Sequence, residues 1–309
     1  MLEAILLSFC SAAGFAVGNV FIRAGTQRIP GPTATTFAVI TSSLVAFIPA
    51  LIGHASEITT LSWRAYAWFA LMGAMSYPGA RVLNNTAISM VGASGAGPFA
   101  SLQPVFAFIL GMAVLNERPD LLIILGTPTI VCGLILVIRS RSNPSSGAVT
   151  RPPSSPTSRV ATRRNSLGYL MAAGAAATFG TRDTISRHVV TSLAPFSVTA
   201  ALSLSMGAVM ILAFTFRGVI SSMRDVPIRY AIFCSCAGIA QGLALVSLFG
   251  ALHYAPVTTV SPINASSPLI TLLLAHIFLQ RLESVNLLLA FGTILSVCGV
   301  ILVIFGASG

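Results

Sequence analysis

The chain has 309 residues, of which 55% are hydrophobic and 8% are charged, with a mean hydropathy of +0.89 and a formal net charge of +10. Because a soluble domain carries roughly 25% charged residues, this composition excludes a water-soluble globular fold and makes lipid the solvent for most of the chain. The positive charge does not indicate nucleic acid, since all 17 basic residues are arginines that mostly lie in one linker or flank apolar segments.

A membrane-spanning helix needs about 20 apolar residues, and the sequence offers ten such stretches joined mostly by short polar connections. The first stretch has the length of a full span and lacks a basic leader, so we interpret it as a helix and not as a signal peptide. The predicted helices are Leu2–Ile22, Thr33–Gly53, Trp63–Ile88, Ala93–Leu115, Leu121–Ile138, Leu167–Ser186, Pro195–Phe216, Tyr230–His253, Val257–Leu279 and Val285–Phe305.

One connection is long. Residues 139–166 are rich in Ser, Pro and Arg, contain no acid and show no apolar periodicity, which predicts a disordered linker. The linker divides the chain into two predicted domains, residues 1–138 and 167–309. All five cysteines fall inside apolar stretches, so a disulfide framework is not expected.

The two domains are copies of one unit. The segments 126–138 and 292–304 read GTPTIVCGLILVI and GTILSVCGVILVI, and nine of their thirteen positions are identical. The correspondence extends further along both copies, at a shift of 164 residues and then of 166. The matched pairs are Ala87 with Ala251, Pro98 with Pro262, Pro104 with Pro268, and Glu117 with Glu283.

Each copy contains five predicted helices. Because five is odd, the second copy must enter the membrane from the opposite side. The sequence therefore predicts an all-α membrane protein with ten transmembrane helices arranged as two inverted five-helix repeats, the plan of many secondary transporters.

A family resemblance lies in the order of several motifs, which occur in both copies. The first copy contains VGASGAGP at 91–98, LQPVF at 102–106, LNER at 115–118, and the glycines of its last helix. These motifs resemble the EamA-like branch of the drug/metabolite transporter superfamily. The segments GFAVGN at 14–19 and FGTR at 179–182 resemble the signatures of its first and sixth helices, whereas QRLE at 280–283 departs from the compact family pattern.

The resemblance implies ten helices, both termini on one side, and a central cavity lined by helices one to four and six to nine, with helices five and ten at the periphery. It also implies that the chain moves small metabolites, often amino acids or nucleotide sugars, by exchange or export. The family usually has its termini in the cytoplasm, but the distribution of arginines over the loops favours the linker there. The orientation stays open.

Four prolines lie within apolar helices: Pro98, Pro104, Pro262 and Pro268. A proline removes a backbone hydrogen bond and kinks a helix. Each can either shape helix packing or form a hinge or unwound wall of a cavity. Glu117 and Glu283 precede helices, where a carboxylate stabilises the positive end of the helix dipole.

Arg81 is the most informative single residue, because it lies about 10 Å inside the predicted third helix at 1.5 Å per residue. Arginine at membrane depth marks a pathway by default. No acid is placed to pair with Arg81, so the side chain either snorkels to the interface or binds a carboxylate or phosphate of a substrate. Its counterpart in the second copy is Leu245.

Other polar residues at membrane depth are either interhelical hydrogen-bonding groups or lining residues of a binding site. Together with Arg81, six of them form the predicted substrate-binding set: Asn19, Tyr77, Asn84, Gln103, Gln241 and Asn264. Arg182, Asp183 and Arg187 cluster near a helix end, and the spacing of Asp183 and Arg187 indicates an interfacial ion pair.

The sequence shows no catalytic motif, metal cluster or nucleotide-binding loop, and we expect no enzyme activity and no cofactor. The predicted function is secondary transport of a small metabolite, such as an amino acid, by alternating access in the cell membrane. The expected partners are the solute and the lipid bilayer; a monomer is compatible with the sequence, which leaves the oligomeric state open. An integral-membrane enzyme would need clustered acids or histidines, whereas a non-transporting sensor or scaffold would not need polar residues in its central helices.

Overall fold

The computed structural model describes residues 1–28, 31–140, 158–223, 226–279 and 287–308, and every regular element in these ranges is helical. The helices are α1 (Leu2–Gly25), α2 (Gly31–Thr60), α3 (Trp63–Ala74), α4 (Val82–Ala100), α5 (Gln103–Leu115), α6 (Leu121–Ser140), α7 (Ser158–Ser192), α8 (Phe196–Met223), α9 (Ile228–Tyr254), α10 (Val257–Asn264), α11 (Ser267–Leu279) and α12 (Leu287–Ser308), and a π-helical segment, Met75–Arg81, joins α3 to α4.

Within the described residues, five helices are long and apolar enough to cross a membrane by themselves. Shorter apolar helices, Gln103–Leu115 and Phe291–Ala307, accompany them. The predicted all-α membrane class is therefore confirmed. The spans that meet the length criterion are Leu2–Gly25, Thr33–Ile58, Leu121–Ser140, Phe196–Ala213 and Ile228–Tyr254.

Two of the predicted helices are each broken near the middle. The predicted helix Val257–Leu279 is divided into α10 and α11 at Ala265–Ser266, and the predicted helix Ala93–Leu115 is interrupted before α5 at Ser101–Leu102. The two breaks occupy equivalent positions of the copies, 164 residues apart. Each is followed by a proline in the first helical turn, where proline needs no intrahelical hydrogen bond.

The predicted boundary between the third and fourth helices is wrong in the first copy. The chain stays helical from α3 through the π-helical segment to the end of α4 at Ala100. In the second copy a boundary does form, because Pro256 holds the preceding Ala255 in an extended conformation. The equivalent of Pro256 is Gly92, which imposes no such restriction.

The duplicated segments pack against each other as α6 and α12. A Cβ atom on Gly126 would lie 2.8 Å from the carbonyl oxygen of Gly299, and one on Gly299 would lie 2.9 Å from that of Gly126. Gly133 and Gly292 approach each other in the same reciprocal way, at 2.6 and 2.8 Å. Small residues allow this close backbone contact, and the pairing of an early residue with a late one makes the two helices antiparallel.

The largest buried cluster joins both copies. Phe69 of α3, Val198 of α8 and Phe249 of α9 are almost fully buried in it. Helices reach into the predicted linker from both sides, since α6 ends at Ser140 and α7 begins at Ser158. The rest of the linker and Glu283 lie outside the described residues.

Candidate functional site

A cavity of about 450 Å³ lies between the two copies. Its walls come from α1, the π-helical segment, α5 to α11 and both helix breaks. The lining residues are Phe15, Asn19, Ser76, Tyr77, Arg81, Ser101, Gln103, Pro104, Leu134, Ile138, Phe179, Arg182, Leu204, Gln241, Leu245, Ser261, Asn264, Ala265, Ser267 and Pro268.

The cavity brings together most of the residues singled out in the sequence. Six of the seven predicted binding residues line it: Asn19, Tyr77, Arg81, Gln103, Gln241 and Asn264. Asn84 lies on α4 outside the lining. Among the prolines, Pro104 and Pro268 line the cavity beside the two breaks, whereas Pro98 and Pro262 lie within the preceding helical segments.

Many lining residues are repeat-equivalent. Six pairs at a shift of 164 contribute both members to the wall: Phe15 and Phe179, Tyr77 and Gln241, Arg81 and Leu245, Ser101 and Ala265, Gln103 and Ser267, and Pro104 and Pro268. The cavity is therefore lined at equivalent positions by both copies. Its shape follows the duplication, whereas its chemistry does not, because most pairs combine different residue types.

Tyr77 and Arg81 form one wall of the cavity. Both lie on the π-helical segment, and the Arg81 guanidinium carbon lies 5.3 Å from the centroid of the Tyr77 ring. A guanidinium over an aromatic face is stabilised by the ring quadrupole. Arg81 is half-buried and lines the cavity, so this geometry directs its side chain along the cavity wall.

Arg182 and Asp183 of α7 form a buried ion pair at a second wall. Arg182 Nη2 donates to Asp183 Oδ1, and Gln103 Nε2 donates to Asp183 Oδ2 at 2.9 Å. Asp183 is 1% exposed and Arg182 is 6% exposed. The pair also links α7 to α5 through Gln103, close to the break in the first copy.

The predicted interfacial pair between Asp183 and Arg187 is wrong. Arg187 Nη1 instead donates to the carbonyl oxygens of Leu252 and His253, the latter at 2.9 Å, at the end of α9. The physical reason is that Asp183 is buried and takes its donors from Arg182 and Gln103, whereas Arg187 lies one turn further along α7 and faces a helix terminus with free carbonyl groups.

The amides at the cavity also connect helices. Ser11 Oγ of α1 donates to Asn264 Oδ1 at 2.9 Å, directly before the break between α10 and α11. Gln103 plays a comparable part beside the other break. Both amides therefore hold neighbouring helices together and line the cavity. The two roles considered for these residues, interhelical hydrogen bonding and lining of a binding site, are compatible.

Glu117 caps a helix in the opposite copy. Its carboxylate accepts from the backbone N–H groups of Val257 and Thr258, at 2.9 and 3.0 Å, which are the first residues of α10. The prediction that this carboxylate stabilises a helix N-terminus is correct in kind, but the stabilised helix is not the one that follows Glu117 in the chain. Asn116, in a left-handed conformation with φ 54°, turns the backbone to make this contact.

Two features of the site were missed at the sequence level. Arg182 was interpreted as interfacial, although its neighbour Asp183 is the repeat equivalent of Asn19, a predicted site residue. The fifth predicted helix was expected at the periphery, yet Leu134 and Ile138 of α6 line the cavity. The repeat alignment contained the signal for Arg182, whereas nothing in the apolar sequence of α6 indicates which face meets the cavity.

Comparison with known proteins agrees with this architecture. The sequence model of the EamA-like transporter family matches residues 2–139 and again residues 166–305. A solved crystal structure superposes with a TM-score of 0.77 at 17% sequence identity, over 100% of this chain and 98% of the other, a likeness that concerns the fold alone. A comparison with curated proteins gives no match.

Proposed function

The chain belongs to the EamA-like transporter family, and from this premise we propose that it moves a small organic solute through the cavity between its two copies. Members of this family are membrane transporters of the drug/metabolite superfamily, which supports a transport role for this chain. The proposal adds the architecture, ten transmembrane helices as two inverted repeats, and the mechanism, alternating access.

The antiparallel packing of α6 and α12 supports the inverted arrangement. These two helices are the last of each copy and carry the same sequence motif. Reciprocal contacts such as Gly126 with Gly299 and Gly133 with Gly292 are what a two-fold axis perpendicular to the helices produces, because each contact then has an equivalent with the partners exchanged. Such an axis lies in the membrane plane when the helices cross the membrane.

The observation that carries the transport proposal is the cavity at two broken helices. At Ser101–Leu102 and Ala265–Ser266 the regular helix gives way to turns, in which Leu102 N–H donates to the Phe99 carbonyl and Ser266 N–H to the Ile263 carbonyl. Within a membrane, irregular backbone is tolerated where it borders protein or a water-filled cavity. Both breaks border this cavity. Binding at broken helices between repeats is the usual plan of secondary transporters.

Alternating access follows from the symmetry of the wall. If the copies exchange their conformations, the cavity that faces one side of the membrane comes to face the other. The copies differ in this structure, because α4 is continuous where Pro256 separates α9 from α10. Pro98, Pro104, Pro262 and Pro268 are the proposed hinge residues of the change, and Asn84 on α4 is a proposed contact in its other state.

A sensor or scaffold without transport is the alternative. It gives no reason for Asn19, Gln103, Gln241 and Asn264 to line one cavity at the centre of an apolar protein, where each polar side chain is costly unless it is bonded. The retained polar wall therefore favours transport of a solute, either as export or as exchange.

The test is uptake by the purified chain in proteoliposomes, with labelled amino acids, nucleotide derivatives and organic cations. We expect at least one solute to accumulate above the level of protein-free liposomes and its uptake to increase when unlabelled solute is trapped inside. Ala265→Trp, which places a bulky ring in the cavity wall, should abolish this uptake. Ala67→Trp, at an exposed position of α3, should not.

A contrasting result would favour the sensor. In that case a solute of the panel would raise the melting temperature of the protein by binding to its folded state, but would never cross the bilayer in either direction. Equal uptake by wild type and Ala265→Trp would show that the solute does not pass through this cavity.

A further inference from the structure

We infer that the cavity binds the compact oxyanion group, a carboxylate or a phosphate, of a small organic anion, with Arg182 and Arg81 as its cationic contacts. This inference rests on the proposed transport function and specifies the substrate class of the same cavity. It depends on four observations: the charge of the lining, the hydrogen bonding of Arg182, the placement of Arg81, and the positions at which the two copies differ.

The lining is cationic. Its charged residues are Arg81 and Arg182, and the described lining includes no carboxylate. Asp183 lies behind the wall at 1% exposure, and its two oxygens accept from Arg182 and Gln103. One negative charge thus offsets one of two guanidinium charges, and the cavity retains a net positive charge in an environment where charge is costly. An anionic ligand would neutralise it.

Arg182 has donors that the protein does not satisfy. A guanidinium carries five N–H groups, and Arg182 uses Nη2 for Asp183. Its Nε is buried and has no hydrogen-bond partner among the described groups. A buried donor without a partner costs free energy, and natural proteins leave few such donors. Because Arg182 lines the cavity, an oxyanion there can supply the missing acceptor after a small reorientation of the side chain.

Arg81 lines the same cavity from the π-helical segment. Its guanidinium lies over the ring of Tyr77, and this contact covers one face of the planar group while leaving its edge, which carries the N–H donors, available. Arg81, Tyr77 and Arg182 all line this cavity, so the two guanidinium groups border the same ligand space, and the guanidinium fork matches an oxyanion in geometry.

The positive charge is present only where the copies have diverged. The repeat equivalent of Arg81 is Leu245, and that of Arg182 is Gly18. A Cβ on Gly18 would lie 2.6 Å from Cγ of Gln241, the equivalent of Tyr77, so the position equivalent to Arg182 has no room for a side chain. The repeated unit therefore carries a cation at each of these two positions in one copy only, and the repeat architecture itself does not require either arginine.

The remainder of the wall suits the rest of such a ligand. Asn19, Gln241 and Asn264 provide amide groups, and Phe15 and Phe179 provide apolar surface. A volume of about 450 Å³ lies within the range of small-molecule sites. The inferred substrates are organic anions of metabolite size with one or two oxyanion groups.

The experiment measures binding and transport separately on the full chain. Binding is measured from the rise in melting temperature in detergent with succinate, glycerol phosphate, glycerol and choline chloride, at matched ionic strength with inorganic phosphate as a further probe. We expect succinate, glycerol phosphate or both to stabilise the wild type, and glycerol and choline to have no effect. Succinate alone would assign a carboxylate site, and glycerol phosphate together with inorganic phosphate would assign a phosphate site.

The variants are Arg182→Gln and Arg81→Gln, with Arg64→Gln, at an exposed position of α3, as the matched control. Loss of a charge-assisted contact should weaken the apparent affinity for the effective anion at least about tenfold in each cavity variant. Arg64→Gln should retain the wild-type affinity. Arg182→Lys keeps the positive charge but loses the forked guanidinium. Its apparent affinity for the anion should lie between those of Arg182→Gln and the wild type. If Arg182→Gln fails to fold, the anion affinity of Arg81→Gln and the ligand selectivity of the wild type still test the anion site.

Two results would overturn the inference. One is stabilisation of the wild type by glycerol or choline but by no anion. The other is an anion affinity that is unchanged in Arg81→Gln and in any Arg182 variant that folds. Transport in proteoliposomes separates this failure from failure of the proposed function: neutral or cationic solutes that are moved equally by wild type and both variants would leave the transporter intact and refute the anion site.

Discussion

Arg182 and Asp183 are adjacent in the chain, and their pairing decides the electrostatics of the cavity. Two charges removed from water are costly, and the pair is retained only because each partner compensates the other and Gln103 adds a further hydrogen bond to the carboxylate. Removal of one partner leaves an uncompensated buried charge.

A double-mutant cycle tests this pairing. Asp183→Asn should destabilise the protein by about 3–5 kcal/mol, because Arg182 then remains buried without a counter-charge. The double variant Arg182→Gln/Asp183→Asn should be less destabilised than the sum of the two single variants. Denaturation in detergent measures these differences. Additive effects would mean that the two side chains do not interact as described.

At the scale of helices, the cap that Glu117 forms on α10 connects the two copies. Glu117 lies in the segment between α5 and α6, and its carboxylate accepts from two backbone N–H groups at the start of a helix 140 residues further along the chain. Those N–H groups have no intrahelical partners. The contact thus fixes the first turn of α10, directly after Pro256. This turn lies at the other end of the helices from the end of α6 and the start of α7, where the linker connects.

Glu117→Gln replaces the carboxylate by an amide that retains one oxygen acceptor. We expect a loss of about 1–2 kcal/mol in stability, as for other helix caps, and a change in solute transport rate larger than that in solute affinity, since Glu117 lies outside the cavity lining. Melting temperature and uptake kinetics measure the two effects.

Glu57→Gln, at an exposed position near the end of α2, is the matched control and should behave as the wild type. A Glu117→Gln variant with unchanged stability would show that α10 does not depend on this cap.

A single proline also decides whether a helix ends between the third and fourth predicted helices of a copy. Both copies were predicted to turn between their third and fourth helices, and only the copy with Pro256 does so. Proline restricts the residue before it, whereas Gly92 permits a continuous helix despite its low helix propensity. Apolar periodicity does not reveal this difference, because both segments are equally suited to the membrane.

For the whole molecule, the inverted arrangement makes a topological prediction. Thr26 follows α1, and Ser192 ends α7, the first helix of the second copy. In an otherwise cysteine-free chain, Thr26→Cys and Ser192→Cys should react with an impermeant thiol reagent from opposite sides of sealed vesicles. Both positions are exposed, so burial will not prevent labelling. Labelling of both from the same side would exclude inverted repeats.

The amino-acid sequence alone was sufficient for the membrane class, the duplication and the family, because composition, repeats and ordered motifs are properties of the chain itself. It also identified six polar residues that now line one cavity, since a polar side chain in an apolar segment is conspicuous wherever it points. The tertiary structure was needed to pair Asp183 with Arg182 instead of Arg187, to connect Glu117 to α10, and to bring Leu134 and Ile138 to the cavity. These placements depend on how each helix is rotated about its axis and on how the helices pack, and a linear pattern of residues specifies neither.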